Sequence, residues 1–408
     1  MITLCRSCKS SEIEKVLTLG NFALPAVVLS QDRYNDSKYP LVLMRCVECS
    51  LVQLSQSVPK KLLYTEDYGY RSGINKTMKN ELSEIVESIE ALIELPKGAI
   101  VIDIGSNDAT LIKNYSKKSI IKVGFDPVAK FASEYNQINQ VFINNYFNKK
   151  DFRKRFVSQK AHVITAISMF YDIEDPSLFI SDIVDCLDKS GVLVIQQNYL
   201  LSMLNENAFD NIVHEHLEYY SLYSLERLLE RYGLEVFDVI ENSLNGGSFR
   251  TYIGFKDAKW RKNQRVQNLR DKELNSGLIT KSPYEAFSQR IKQLRMKTLE
   301  FIKKEIKKNK RFYVYGASTR GNTILQYYGL NSKYILAAVE RNPEKWGKII
   351  ASSGIPIISE EQARLDMPDY MLVLPWFFKK EFLEREKEYM RLGGKLVFPL
   401  SDLEVIGI

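Results

Sequence analysis

Between residues 99 and 255, short and nearly continuous apolar runs recur, separated by stretches with helical spacing. The runs are 99–104 (AIVIDI), 121–125 (IKVGF), 162–168 (HVITAIS) and 191–197 (GVLVIQQ), with later ones near 235–240 and 249–255. Strands that are apolar at successive positions are buried on both faces, so the pattern predicts a parallel sheet covered by helices on either side. A helix is predicted ahead of it over 76–94, stopping before Pro96. The segment 218–233 also reads as a helix, and 179–191 as an amphipathic helix that ends at Gly191 and carries Cys186 as a core residue. From Ser282 a long helix is predicted, with Phe287, Ile291, Leu294, Ile302 and Ile306 on its apolar face. A second set of strands follows at 312–315 (FYVY), 335–339 (ILAAV), 370–374 (YMLVL) and 395–398 (KLVF).

Two such sets fit a chain of 408 residues, which is long for one domain. With 45% apolar and 26% charged residues, a largely disordered or collagen-like chain is excluded. The longest apolar run, near 370–378, is interrupted by Pro375 and is too short for a membrane span. The opening MITLCRSCKS lacks the apolar core of a signal peptide, so a cytoplasmic protein with no membrane partner is predicted. A net charge of +7 hints at nucleic acid only until it is located. Residues 259–311 hold 17 Lys and Arg against 5 Asp and Glu, which leaves the rest of the chain slightly acidic. A solvated helix face accounts for such a segment, and no nucleic-acid partner is predicted.

Four of the five cysteines form two knuckles, Cys5-x-x-Cys8 and Cys46-x-x-Cys49. Each knuckle lets two thiolates approach one tetrahedral ion from a single turn, so the spacing predicts a four-cysteine zinc site. With no ligand position left open for water, the zinc is structural, bracing some sixty residues too few to build a core alone.

The turn VIDIGSNDATL (101–111) closes the first strand of the middle set, where an open α/β sheet binds its ligand. Asp103 ends the strand and Gly105 permits the close turn. A dinucleotide fingerprint would need further glycines. The turn instead resembles the first motif of class I S-adenosylmethionine-dependent methyltransferases. GFDP (124–127) ends the second strand and places Asp126 23 residues after Asp103, where a carboxylate can accept both hydrogen bonds of a ribose diol. The expected cofactor residues are therefore Asp103, Gly105, Ser106, Asn107 and Asp126. Two of the three histidines lie in NIVHEHLEYYSL (211–222). On a helix His214 and His216 diverge, which leaves one as a candidate general base and the other as structural.

Taken in order, the paired knuckles, the IGSND turn, HEHLEYYSL, NGGSFR (245–250), YGASTRGNT (315–323) and KLVFPL (395–400) give a more specific resemblance. The chain is similar throughout its length to nucleotide-sugar C-methyltransferases, which build C-3-branched deoxysugars. The resemblance implies a zinc domain (1–66), a class I methyltransferase domain (67–281) and a smaller Rossmann-like α/β domain (282–408) that helps hold the nucleotide sugar. It also implies that His216 is the general base with Glu215 beside it, and that Tyr70 lines the reacting centre. In two places the chain departs from the family pattern. Val213 stands where the family has Tyr directly before HEH, and SMFYDIEDP (168–176) lacks the family's His, with Tyr171 as the nearest polar substitute. Both lost groups could stabilise an enolate, so O-methylation of a similar sugar is the alternative to C-methylation.

Gly316-Ala-Ser-Thr-Arg-Gly321 follows a strand and opens a helix. It is no Walker A loop, because Asn322-Thr323 stands where Lys-Ser/Thr is required. Helix N-terminal N–H groups still make a pyrophosphate seat, with Ser318, Thr319 and Arg320 as added donors. RNA methylation is disfavoured. No Asn-Pro-Pro-Tyr-like tetrapeptide follows 162–168, and the one cysteine outside the knuckles lies within a helix. The sequence leaves open whether the protein is a monomer or a dimer.

Overall fold

Three sheets carry the chain, and two of them borrow a strand from a distant part of the sequence. The computed structural model describes residues 2–25, 27–28, 37–59, 62–63, 71–137 and 139–407. The central sheet has seven strands in the order Leu234–Asn242, Ser248–Phe255, Leu187–Asn198, Ala161–Ile167, Ile100–Ile104, Ile121–Phe125, Gln140–Ile143. The five on the Gln140–Ile143 side run parallel, and Ser248–Phe255 is antiparallel to both of its neighbours. The chain reverses its direction of travel across the sheet between Ile100–Ile104 and Ala161–Ile167, a switch point of the kind that opens a ligand crevice beyond the strand ends.

Both faces are covered, as near-continuous apolar strands demand. Helix Lys76–Leu92 buries Leu82, Ile85, Val86 and Ile89 against Val101, Val163, Val192 and Val194. Helix Pro176–Cys186 buries Phe179, Ile180 and Ile183 on the opposite side with Ile102, Ile164 and Ile195. Arg250, fully buried in the antiparallel strand, pins the first of these helices. Its Nη2 donates to Glu81 Oε1 at 2.7 Å and its Nε to Gln196 Oε1 at 2.8 Å.

The C-terminal sheet has eight strands, Glu404–Ile406, Lys395–Phe398, Tyr370–Val373, Phe312–Tyr315, Ala337–Val339, Ile355–Ile358, Ile349–Ile350 and, last, Val27–Val28. The five from Lys395–Phe398 to Ile355–Ile358 are parallel. Val27–Val28, from the cysteine-rich N-terminal part, pairs with Ile349–Ile350 at the edge. The N-terminal sheet comprises Ile13–Ala23, Lys38–Cys46, Val52–Leu54 and, as its fourth strand, Glu218–Tyr219. Among the described residues no helix is long and apolar enough to cross a membrane.

Two expected helices are shorter than the pattern suggests. The 218–233 segment is a helix only over Leu222–Leu229, followed by a tighter turn to Gly233. Ser221 starts it with a capping box on Ser224, and Glu218 and Tyr219 are drawn into the N-terminal sheet by Val52 and Gln53. Helix Pro176–Cys186 ends at Cys186 rather than Gly191. Leu187 already pairs with Ala161, so the next residues extend the strand. The half-buried edge strand Gln140–Ile143 carried too little apolar pattern to be expected.

Candidate active site

The four cysteines come together as the spacing requires. Their Sγ atoms all lie within 4.8 Å of one another, Cys5 to Cys49 at 3.6 Å and Cys8 to Cys46 at 3.5 Å. Thiolates on a tetrahedral zinc, each at about 2.3 Å, stand about 3.8 Å apart, so the cluster fits the ion. The knuckles are two copies of one turn. Lys9 N–H donates to Cys5 O and Ser50 N–H to Cys46 O, each at 3.0 Å, with Lys9 and Ser50 left-handed at φ 61° and 59°. The first knuckle docks on the central domain, since Ser177 Oγ donates to Ser7 O and Arg231 to Ser7 Oγ.

The cofactor turn bends sharply at the mouth of the switch point. Gly105, Asn107 and Ala109 have φ of 70°, 48° and 61°, and Gly105 and Ser106 donate their N–H groups to Phe125 O. Asp103 is buried and accepts from Thr165 Oγ1 at 2.6 Å. Burial, with the Asp126 charge adding to it, pushes its carboxyl up to about 7 against that hydrogen bond. Asp126 grips the turn directly, one oxygen taking Asn107 N–H and the other Val128 N–H, both at 2.9 Å. Each carboxylate oxygen keeps a second lone pair, so a ribose diol can still be accepted. Ser106 Oγ is buried with no protein partner, a further polar atom suited to a ligand here.

Sequence reasoning missed Asp108. Its Oδ2 accepts Gly73 N–H at 2.9 Å, and Asn107 Oδ1 accepts Ser72 N–H at 3.1 Å. These bonds draw the segment after Tyr70 over the cofactor turn, and a side chain at Gly73 would meet Asp108 Oδ2 at 2.9 Å. Tyr70 itself lies outside the described residues.

The HEH segment is neither helix nor strand, and its two rings face different partners. His214 Nε2 donates to Tyr39 O of the N-terminal sheet at 3.2 Å, and its ring packs edge-on against Tyr39. His216 Nδ1 lies 2.9 Å from Asn211 O; a carbonyl can only accept, so Nδ1 carries the proton and Nε2 the lone pair. Burial, helped by the nearby Arg320 charge, pushes the His216 imidazole down to about 3, so it stays neutral. Its ring centre is 4.2 Å from that of Tyr171, and Tyr171 O accepts Leu217 N–H. On the other side of the segment, Leu217 O accepts Leu54 N–H from the zinc module. Beside His216, burial pushes Glu215 up to about 7, and its Oε2 has no protein partner.

More unsatisfied polarity gathers at the adjoining end of strand Leu187–Asn198. Both amide atoms of Gln197 and Oδ1 of Asn198 are buried without a protein partner, while Asn198 Nδ2 donates to Asn211 Oδ1 at 2.7 Å. A buried polar atom left unmet costs about 1–3 kcal/mol, so Asn198 Oδ1, whose amide is tied to Asn211 beside His216, is suited to a polar ligand, while Gln197, the preceding residue of the strand, faces the other side of the sheet. Val213 is buried and apolar in the same segment.

In the C-terminal sheet, Ser318 caps helix Thr319–Tyr328, its Oγ accepting Gly321 N–H at 3.1 Å. Thr319 is the first helical residue. Arg320 points back to the central domain and binds Asp210 Oδ2 through Nε (2.9 Å) and Nη2 (2.7 Å), and Asn245 O through Nη1 (2.8 Å). Glu340, also missed, ends the second strand of this sheet and accepts Ala317 N–H at 3.1 Å, much as Asp126 grips Asn107 in the central sheet. The signal for it was the closing carboxylate of AAVE (337–340).

Three family models match the chain in succession: a zinc-binding domain over residues 5–64, a methyltransferase domain over 74–239 and a C-methyltransferase C-terminal domain over 243–401. C-methyltransferase NovU of Streptomyces niveus is 27% identical over 405 residues, 98% of this chain and 96% of NovU. Solved structures overlap about half of the chain. Magnesium protoporphyrin IX methyltransferase from Synechocystis PCC 6803 with bound SAH is 14% identical, over 44% of this chain and 87% of that one, at a TM-score of 0.35. The plantazolicin methyltransferase BpumL with SAH is 15% identical, over 49% and 92%, at 0.37. At those scores neither bears on the site.

Proposed function

The chain is an S-adenosylmethionine-dependent methyltransferase with a structural zinc module and a C-methyltransferase C-terminal domain, and we propose that it methylates the carbon beside the keto group of a nucleotide-linked deoxysugar. S-adenosylmethionine, held by Asp103, Gly105, Ser106, Asn107 and Asp126, supplies an already activated methyl group. The protein's share is therefore alignment, proton removal and charge stabilisation. His216 Nε2 takes the acceptor's α-proton, and the carbanion so formed is the nucleophile for the methyl group that bound S-adenosylmethionine would supply.

The observation that carries this reading is the His216 imidazole, neutral and fixed by Asn211 O so that Nε2 keeps its lone pair, with the unmet Asn198 Oδ1 of the Asn198–Asn211 pair close by. The nucleotide's pyrophosphate is assigned to the 318–320 turn, with Ser318 and Thr319 as donors and Arg320 adding charge behind them. The resemblance assigns Tyr70 to the reacting centre; the residue itself lies outside the described residues. One observation favours a second reading of the base. Glu215, pushed up to about 7, is better matched to neutral pH than His216.

Product made from a panel of 4-keto nucleotide sugars, analysed by mass spectrometry and NMR, tests the proposal. A new methyl on carbon, with α-hydrogen exchange in deuterated water, is expected. A methoxy signal without exchange would instead assign O-methylation, in keeping with Val213.

A further inference from the structure

Arg320, Asp210, NGGSFR and HEH are far apart in sequence, yet they meet at one joint. Asp210 is fully buried in the turn Phe209–Asn211; its Oδ2 accepts from Arg320 Nε at 2.9 Å and Trp376 Nε1 at 3.2 Å and lies 2.7 Å from Arg320 Nη2 as an ion pair. The next ring of the turn, Phe209, packs on Tyr327 and Tyr328 at 4.7 and 5.6 Å. Tyr327, Tyr328 and Arg320 all belong to helix Thr319–Tyr328. That helix therefore grips the turn at two successive residues. The third residue of the turn is Asn211, whose carbonyl accepts the hydrogen bond from His216 Nδ1–H.

The joint is tightly fitted. Arg320 lies over the Phe377 ring at 4.3 Å, and its Nη1 reaches Asn245 O. A Cβ on Gly246 would stand 2.8 Å from the Trp376 ring, so only glycine lets NGGSFR approach Trp376 this closely.

We propose that Asp210 and Arg320 are positioning residues. By anchoring the Phe209–Asn211 turn to the C-terminal domain, they hold His216 as the Nδ1–H tautomer with its Nε2 lone pair free. The inference rests on the reading that His216 acts on the acceptor, but its structural half can be measured without activity. A neutral imidazole has two tautomers, chosen by the hydrogen bond that one nitrogen makes. Release of the turn removes the acceptor that makes the choice.

The chain has three histidines, so side-chain ¹⁵N NMR of the full-length protein is assignable with His162→Asn and His214→Asn. His214 gives an internal reference, because it donates from Nε2 and shows the opposite tautomer. The wild type is expected to show His216 protonated on Nδ1. In Arg320→Met the turn loses its ion pair and the hydrogen bond from Nε, and His216 moves toward a mixture of tautomers while His214 stays fixed. Turnover falls about 10–100-fold, the scale of a misplaced catalytic group, at unchanged S-adenosylmethionine affinity. Asp210→Asn keeps one carbonyl oxygen for Arg320 and Arg320→Lys keeps the charge, so both are expected between wild type and Arg320→Met. Asp210→Asn also serves should Arg320→Met not fold. Wild-type His216 shifts in folded Arg320→Met, or in folded Asp210→Asn, would overturn the positioning role. Altered tautomers with undiminished turnover would leave the positioning intact and sink the assignment of His216 as the base.

Discussion

Two groups in the HEH segment have pKa values well apart, one below the working range and one inside it, so the pH dependence of turnover decides between them. His216 is pushed down to about 3 by burial and the Arg320 charge. A base with that pKa is about 99% unprotonated at pH 5, so kcat at saturating S-adenosylmethionine should be level from pH 8 to 5. Glu215 is pushed up to about 7 by burial. As the base it would be about half ionised at pH 7 and about 1% ionised at pH 5, so kcat would fall about 50-fold. Asp103 is also held near 7, but it belongs to the cofactor turn. Its titration should appear in the KM for S-adenosylmethionine and drop out at saturation. The assay is a buffer series on wild type, Glu215→Gln and His216→Asn, with an α-deuterated acceptor to confirm that proton removal limits the rate. We expect a level wild-type profile, the same shape in Glu215→Gln, and a loss of about 10²–10⁴-fold in His216→Asn. A 50-fold fall that disappears in Glu215→Gln would refute the assignment and move the base to Glu215.

Other consequences follow from the same geometry. Asp126→Ala removes the ribose acceptor and should weaken S-adenosylmethionine binding by about 1.5–3 kcal/mol, roughly 10–150-fold by calorimetry. It also strips the partner from Asn107 N–H and Val128 N–H, so a lower melting temperature should accompany it. Freshly purified protein should hold one zinc, and Cys46→Ser should lose it together with soluble yield; metal analysis below half an equivalent in the wild type would contradict the four-thiolate site. Gly247→Ala should cost about 2–4 kcal/mol in urea unfolding, since φ is 114° and the new Cβ would stand 2.3 Å from Ser202 Cβ. Glu215 has a raised folded pKa, so its contribution to stability is present below about 4.5 and lost as pH rises through about 7. His216 has a lowered one, so its contribution is present above 6.5 and lost as pH falls toward 3. The two oppose each other between 4.5 and 6.5, and Glu215→Gln should unmask a rise in unfolding midpoint with pH across that window.

Features set by local chemistry were legible in the sequence. The CxxC pairs declare their ion by spacing alone, and the strands at 100–104, 121–125 and 395–398 are apolar enough to declare burial on both faces. That Asp126 stands against the 105–109 turn was legible because a strand end fixes where its carboxylate points. Features decided by distant partners were hidden. Nothing in LEYY shows that Glu218 and Tyr219 will pair with Gln53 and Val52, 165 and 167 residues earlier, so the helical pattern beyond them was extended too far. Arg320 reads as an anion donor because its local setting is a helix N-terminus; that it also contacts Asp210, 110 residues away, is decided only by the packed fold.

The two borrowed strands also govern how the chain can be made. Residues 13–54 leave the ribosome first, yet their sheet stays one strand short until Glu218 and Tyr219 are synthesised. Val27 and Val28 have no edge to join until Ile349 and Ile350 follow. The metal is thus an early tether alongside the local strand pairings, holding two turns together while the rest of the frame is still unmade. The segment that carries His216 is fixed only when the first-made and middle parts of the chain close on each other, and its proton acceptor only when the last-made part docks. A truncated product therefore lacks a set active site, whichever end is missing.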